Sequence, residues 1–232
     1  MRYPTLLFDL DHTLLDSDES ERLAYQHTMA TIGLPDPGTY FGRYININRS
    51  MWSAVEAGEM QPSEVRHRRF EEFTSVVDID ADPHEMAETF VDGLGRFGEL
   101  YPGAREVLEA FADRTALAMV TNGLSEVQRA RIDRLDIGRY FHTVIISSEV
   151  GVTKPRPEIF DLAFDGLGRP DRSTALMIGD SLTSDITGGH NYGVDTCWYN
   201  PHGADRPDGP LVTHEIGELG EIASIVVGDP PV

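Results

Sequence analysis

Residues 5 to 17 read Thr5-Leu6-Leu7-Phe8-Asp9-Leu10-Asp11-His12-Thr13-Leu14-Leu15-Asp16-Ser17, and the fold turns on how this stretch is read. Leu6, Leu7 and Phe8 form a short apolar run, the pattern of a strand buried on both faces. The run ends in two carboxylates, Asp9 and Asp11, with a hydroxyl two residues further on at Thr13. Open α/β sheets place their chemistry at the carboxyl ends of buried parallel strands. The i, i+2 spacing aims both carboxylates at one point only if the backbone turns between them. That geometry suits one carboxylate attacking a group while the other handles its proton. Asp is also common in turns, so the reading depends on what the rest of the chain sets beside it.

Outward from this stretch, residues 17 to 99 lose their strand-like runs and take on helical periodicity. Tyr40, Tyr44, Ile47, Met51 and Val55 recur at steps of four, three, four and four. Pro62 and Ser63 open a further helix carrying Val65, Phe70, Phe73 and Val77. Asp82 reads as an N-cap with Pro83 at the first helical position and Glu85 at the third, ahead of a stripe of Met86, Phe90, Leu94 and Phe97. With one more helix from about 18 to 32, residues 17–99 are expected to form an all-helical insert. Within it Trp52, Arg68, Arg69 and Phe70 are the residues to watch, since an aromatic beside an arginine can stack a base or clamp an anion. The alternative is that the aromatics are core and the arginines a solvated face.

From Tyr101 the pattern alternates helix and strand, which implies a parallel sheet with right-handed crossovers. Helix is expected over 104–113, strand over 115–120 ending in Thr121-Asn122-Gly123, a helix capped by Ser125 and running to about Leu135, and strand over 143–147. Lys154-Pro155-Arg156-Pro157 leads into a helix. A strand over 174–178 ends in Gly179-Asp180-Ser181 with Asp185 five residues beyond Asp180, a last clear strand spans 195–199, and a closing helix spans 215–224. Residues 201–210 read as a loop and 228–232 as a frayed end.

Composition narrows the function. The 232 residues carry 39 acidic against 19 basic side chains, a formal net charge of −20. A nucleic-acid polymer would need a basic stripe, and none is present. Such acidity fits a strongly solvated surface and a salt-rich cytoplasm, where screening relieves self-repulsion. No apolar run approaches the ~20 residues that span a bilayer. Asp9 and Asp11 interrupt the amino-terminal apolar stretch, unlike a signal peptide. The single cysteine, Cys197, excludes an intramolecular disulfide and a multi-cysteine metal site. The expected location is cytoplasmic and the expected partner a small molecule, with no membrane and no nucleic-acid polymer. Of the 19 basic residues only Lys154 is a lysine, which suggests a site needing a compact ammonium rather than a planar fork. Thr121 offers a hydroxyl and neighbouring backbone N–H groups for phosphoryl oxygens. Asp180 and Asp185 offer carboxylates to a hard divalent cation, and Mg²⁺ prefers few carboxylates plus water and phosphate oxygens.

In this order the motifs resemble those of the haloacid dehalogenase-like (HAD) hydrolase superfamily. Asp9-Leu10-Asp11-His12-Thr13-Leu14 is similar to its first motif, Thr121-Asn122 to the second, Lys154-Pro155 to the third, and Gly179-Asp180-Ser181 through Asp185 to the fourth. The resemblance implies a Rossmann-like α/β core, residues 1–16 and 100–232, with the helical cap 17–99 inserted after the first motif. It implies Asp9 as nucleophile forming an aspartyl-phosphate and Asp11 as general acid. It implies Thr121, Asn122 and Lys154 as phosphate ligands, and Mg²⁺ held by Asp9, the Asp11 carbonyl and Asp180. Thr13, Gly179 and Asp185 would support the site. Asp11 speaks against a dehalogenase, which needs no acid for a departing halide. The absence of a lysine from 17–99 speaks against a Schiff-base phosphonate hydrolase.

Trp52 through Gly58, Arg69-Phe70, Thr121-Asn122-Gly123, Ser148 through Val152, Gly188-Gly189 and Thr196-Cys197-Trp198 resemble the pyrimidine 5′-nucleotidase branch. Trp52, Arg69 and Phe70 are then candidates for contacting substrate from the cap. His12 departs from the usual pattern between Asp11 and Thr13. A sugar-phosphate or phosphoglycolate phosphatase, a β-phosphoglucomutase-like phosphotransferase and a non-catalytic nucleotide-binding module are the competing readings. Cap opening is expected about hinges near 15–18 and 98–102.

Overall fold

The computed structural model describes residues 1–206, 208–209 and 211–228. Residues 229–232, on which the expectation of a frayed end falls, and Pro207 and Pro210 of the expected loop lie outside the described residues. Strand β1 (Thr5–Phe8) occupies the middle of a six-stranded sheet of order β3-β2-β1-β4-β5-β6. The other strands are β2 (Ala116–Thr121), β3 (Thr143–Ile146), β4 (Ala175–Gly179), β5 (Asp195–Tyr199) and β6 (His214–Ile216), and every pairing is parallel. The expected α/β parallel-sheet class therefore holds.

Leu6, Leu7 and Phe8 are wholly buried, and alternation sends them to opposite faces. Leu6 and Phe8 join a cluster with Val107, Leu108 and Phe111 of helix α5 (Ala104–Phe111). Leu7 joins another with Ile159, Phe160 and Phe164 of helix α8 (Pro157–Gly166). Phe8 sits in register with Met119 on one side and Ile178 on the other, so β1, β2 and β4 end within two residues of one another at the same sheet edge. The chain winds from β1 outward to β2 and β3, then returns to the other side of β1 for β4. That reversal opens a crevice at the strand ends beside β1, where α/β sheets bind ligands.

The insert is four helices: α1 (Ser17–Thr31), α2 (Gly38–Glu56), α3 (Pro62–Val77) and α4 (Pro83–Arg96). The expected stripes largely form their own apolar cluster, with Tyr44, Met51, Val55, Phe70, Phe73, Met86 and Phe90 buried together. Asp82 caps α4 by accepting from the His84 N–H, whereas the reciprocal capping box belongs to α3, between Gln61 and Glu64. Phe97 falls just past the end of α4 and is only half-buried. Two adjacent strands of chain join insert to core: Asp16 donates its N–H to Glu99, and Tyr101 to Leu14.

Three expectations need correction, and one helix is additional to them. Helix α6 (Ser125–Arg134) takes Leu124, not Ser125, as its N-cap, because the Ser125 hydroxyl donates instead to Glu149. Ser147 leaves β3 and starts the short helix α7 (Ser147–Val150), where its hydroxyl accepts from the Gly123 N–H. The closing helix over 215–224 is split: His214–Ile216 pairs with the β5 edge, and helix α10 (Ile222–Val227) follows the glycines at 217 and 220. Helix α9 (Thr187–Tyr192) was not anticipated, since Gly188-Gly189 disfavours helix. Packing explains it: a Cβ on Gly189 would come within 2.9 Å of the Met177 side chain, so glycine lets α9 lie close on β4.

Candidate active site

Asp9 follows the last residue of β1 and continues its ladder by donating its N–H to the Ile178 carbonyl. The backbone then reverses: Leu14 and Leu15 both donate to the Leu10 carbonyl, and His12 adopts φ 58°. This is the turn that the Asp9/Asp11 spacing requires. From β4, Asp180 arrives beside Asp9. Asp185 comes from the π-helical turn Leu182–Ile186, and one carboxylate oxygen from each of Asp9, Asp180 and Asp185 lies within 4.8 Å of the others. Gly179 permits this approach, because a Cβ there would meet Asp185 Oδ2 at 2.2 Å.

Lys154, 1% exposed, donates from Nζ to Asp9 Oδ1 at 2.5 Å and to Asp185 Oδ1 at 2.7 Å. Its place is fixed by Asn122, whose carboxamide accepts from the Lys154 N–H and donates to the Lys154 carbonyl. Asn122 thus acts on Lys154, with its side chain engaged in that clamp. The Thr121 hydroxyl is wholly buried and accepts from Gln128 Nε2 at 2.7 Å, while the Thr13 hydroxyl donates to Asp180 at 3.4 Å.

Asp11 has different surroundings. Its carboxylate accepts from the Ser17 hydroxyl at 2.6 Å, Gln128 Nε2 at 2.6 Å and Arg131 Nη1 at 2.7 Å. Arg131 also donates to the Leu94 carbonyl and the Ser20 hydroxyl, so one buried guanidinium joins Asp11 to two cap helices. Ser17, Gln128 and Arg131 were missed at the sequence level. The only available signal was that residues 128 and 131 share one face of the helix after the second motif.

These environments drive the carboxylates apart. Burial raises Asp9 well above the ordinary carboxylate range; Lys154 opposes this, and Asp185, Asp180 and Asp11 reinforce it. Asp180 is pushed up to about 8 by burial and Asp185. Burial acts on Asp11 in the same direction, but Arg131, Ser17 and Gln128 outweigh it and hold Asp11 below its ordinary value. Burial would lower Lys154, yet Asp185 and Asp9 keep its ammonium above its ordinary value. Three carboxylates against one ammonium leave a surplus of negative charge, and a divalent cation with oxygen ligands fits that donor set.

A pH prediction follows for the metal-free protein. A carboxyl whose folded pKa lies above its unfolded value stabilises the fold below the unfolded pKa, and that contribution is lost as pH rises through the folded pKa. With Asp180 near 8, thermal stability in EDTA is expected to fall between about pH 4 and pH 8. Mg²⁺ should therefore raise the melting temperature more at pH 8 than at pH 6. Thermal scans with EDTA and with Mg²⁺ at both values test this, and an equal shift would count against these carboxylates as the cation site.

The same cavity, of about 440 Å³, extends from Asp9, Asp11, Lys154 and Asp180 to the cap, where Trp52 and Arg69 line it. Phe70 does not. It is wholly buried, stacked on Tyr44 and edge-on to Phe73 and Phe90, and belongs to the cap core. Arg68 is on the outer surface, paired with Glu64 at 2.8 Å. No helix among the described residues is long and apolar enough to cross a membrane.

Sheet, cap and carboxylate crevice define a hydrolase of the type the motifs resemble. The chain belongs to that family: the haloacid dehalogenase-like hydrolase model matches residues 3–193. It is 32% identical over 226 residues to the pyrimidine 5′-nucleotidase YjjG of Escherichia coli, covering 97% of this chain and 99% of that protein. It is 33% identical to the pyrimidine 5′-nucleotidase PynA of Streptococcus pneumoniae, covering 93% and 92%. A glyceraldehyde 3-phosphate phosphatase of Pyrococcus abyssi is 31% identical over 84% of this chain and 80% of its own. Among solved structures, the HAD-hydrolase YfnB of Bacillus subtilis, bound to magnesium, matches with TM-score 0.87 at 33% identity, covering 97% and 99%.

Proposed function

We propose that this hydrolase cleaves phosphomonoesters through a phosphoryl group carried on Asp9, and that its substrates are nucleoside 5′-monophosphates, pyrimidine ones foremost. The observation that carries the reading is the contrast between Asp9, buried against Lys154, and Asp11, hydrogen-bonded by three donors at the mouth of the same cavity. Asp9 attacks phosphorus and the ester oxygen departs with a proton from Asp11. Water then attacks the aspartyl-phosphate, Asp11 takes the water proton, and phosphate leaves. Arg131, Ser17 and Gln128 favour the ionised form of Asp11, which is the form that receives the water proton. Donation in the first half needs Asp11 protonated, a form that Arg131 opposes, and the same guanidinium also holds the cap at Leu94 and Ser20.

Lys154 offsets the repulsion between the Asp9 carboxylate and an anionic substrate. Asp9 and Asp180 would hold Mg²⁺, which when bound supplies further positive charge at the phosphoryl oxygens. Asp185, which accepts from Lys154 and from the Ser181 N–H, would act through Lys154. The nucleotide assignment draws on the two named nucleotidases, and the competing sugar-phosphate reading on the Pyrococcus relative.

Phosphate release with Mg²⁺ across UMP, dUMP, dTMP, purine monophosphates, sugar phosphates and phosphoglycolate, at low and molar KCl, tests the proposal. Preference for pyrimidine monophosphates is the expected result. Broad or sugar-phosphate activity would keep the chemistry and remove the nucleotidase assignment.

A further inference from the structure

We propose that Arg69, oriented by Asn48, recognises a carbonyl oxygen on a neutral planar ring of the leaving group. This rests on the nucleotidase reading above and gives it a residue.

A guanidinium offers two parallel N–H donors along its Nε/Nη2 edge. Elsewhere in this chain that edge grips carboxylates: Arg22 reaches Glu19 at 2.7 and 2.6 Å, and Arg129 reaches Glu149 at 2.9 and 2.7 Å. Arg69 is 2% exposed, yet its Nε and Nη2 have no hydrogen-bond partner among the described residues. Its remaining amine, Nη1, donates to Asn48 Oδ1 at 3.1 Å. Asn48 is itself bound to Glu21, which also accepts from the Tyr44 hydroxyl at 2.9 Å. The guanidinium is further fixed against Phe90, 4.7 Å from the ring centre. An aligned, buried and unsatisfied donor pair is costly for a fold to keep. Arg69 lines the substrate cavity, and a small shift of its side chain on binding would let an acceptor that arrives with the ligand satisfy the pair.

The walls indicate which acceptor. On the cap side the cavity is lined by three carboxylates, Asp18, Glu21 and Glu56, against two arginines, Arg49 and Arg69. That balance does not favour a second anionic group. Trp52, Phe90 and Leu124 add flat or apolar surface to the same cavity, suited to a ring. A ring carbonyl has two lone pairs for the two donors. Every pyrimidine base carries such a carbonyl at C2, and adenine carries none.

The test compares kcat/KM for UMP and ribose 5-phosphate in the wild type, Arg69→Met and Arg69→Lys, the last keeping the charge without the fork. The ratio of UMP to ribose 5-phosphate is expected to fall by about 10- to 100-fold in both variants. If either variant fails to fold, calorimetry on the wild type with uridine and adenosine still decides, with uridine expected to bind more tightly. A wild type that turns over UMP no better than ribose 5-phosphate overturns the nucleotidase reading and this occupant with it. A wild-type preference for UMP that survives in the folded variants overturns the Arg69 assignment and leaves the nucleotidase reading standing. Adenosine bound as tightly as uridine overturns carbonyl recognition. A preference for phosphoglycolate that is lost in Arg69→Lys makes the acceptor an anion and overturns the neutral ring.

Discussion

Asp9→Asn is expected to reduce phosphate release by at least about 10⁴-fold while leaving the metal-free protein as stable as the parent or more so. The two effects have separate origins. The amide lacks the charge and nucleophilicity needed to attack phosphorus, but it has nearly the carboxylate's shape and can still accept from Lys154 Nζ. Stability moves the other way because ionised Asp9 is disfavoured in the fold, raised first by burial and then by Asp185 and Asp180, against the single opposing ammonium. Replacing it with a neutral group relieves that crowding. Phosphate release and thermal scans in EDTA and in Mg²⁺ check both halves. Loss of turnover accompanied by a melting temperature several degrees lower in EDTA would mean that Asp9 contributes to the fold, and the catalytic inference from this variant would fail. A smaller Mg²⁺-induced shift than in the parent is also expected, since one charged donor of the cation site is gone.

The residues legible in the sequence are those whose role follows from local pattern. Asp9, Thr121 and Asp180 each end or follow a short apolar strand, and parallel pairing is enough to bring them to one edge. Lys154 stood out by composition alone. The cap helices were legible from their stripes. What the sequence could not convey depends on approach between distant elements. Gln128 and Arg131 matter because α6 packs against both the first motif and cap helix α4. Arg69 and Phe70 were read as a pair, but adjacent residues on a helix point about 100° apart, so a single cavity takes one and the cap core takes the other. Asn48 and Glu21 look like polar positions on amphipathic helices until the fold brings them beside Arg69 in the wall of one cavity. β6 was missed because His214-Glu215-Ile216 is a three-residue edge that lacks alternation and becomes a strand only through β5.

Lys154→Met is expected to destabilise the protein and inactivate it together, the opposite pairing to Asp9→Asn. The ammonium is the shared partner of two buried carboxylates, and removing one side of such a contact leaves uncompensated charge at a cost of about 3–5 kcal/mol. At about 2–4 °C per kcal/mol for a domain of this size, the melting temperature in EDTA should fall by roughly 6–20 °C. Mg²⁺ should recover part of that loss, because a divalent cation can replace the missing positive charge between the carboxylates. It should not recover turnover, expected to fall by about 10³-fold, since the Asp9 carboxylate would face an anionic substrate without the buried donor fixed beside it. Lys154→Arg is expected to be no remedy. Eighteen of the nineteen basic residues are arginines, so the composition readily supplies guanidinium where it fits. Here Nζ lies 2.5 and 2.7 Å from two carboxylates in a space where the side chain is 1% exposed, and a planar fork would have to push them apart. Unchanged melting in EDTA for Lys154→Met, or near-normal turnover for Lys154→Arg, would show that the need for a compact ammonium is misplaced.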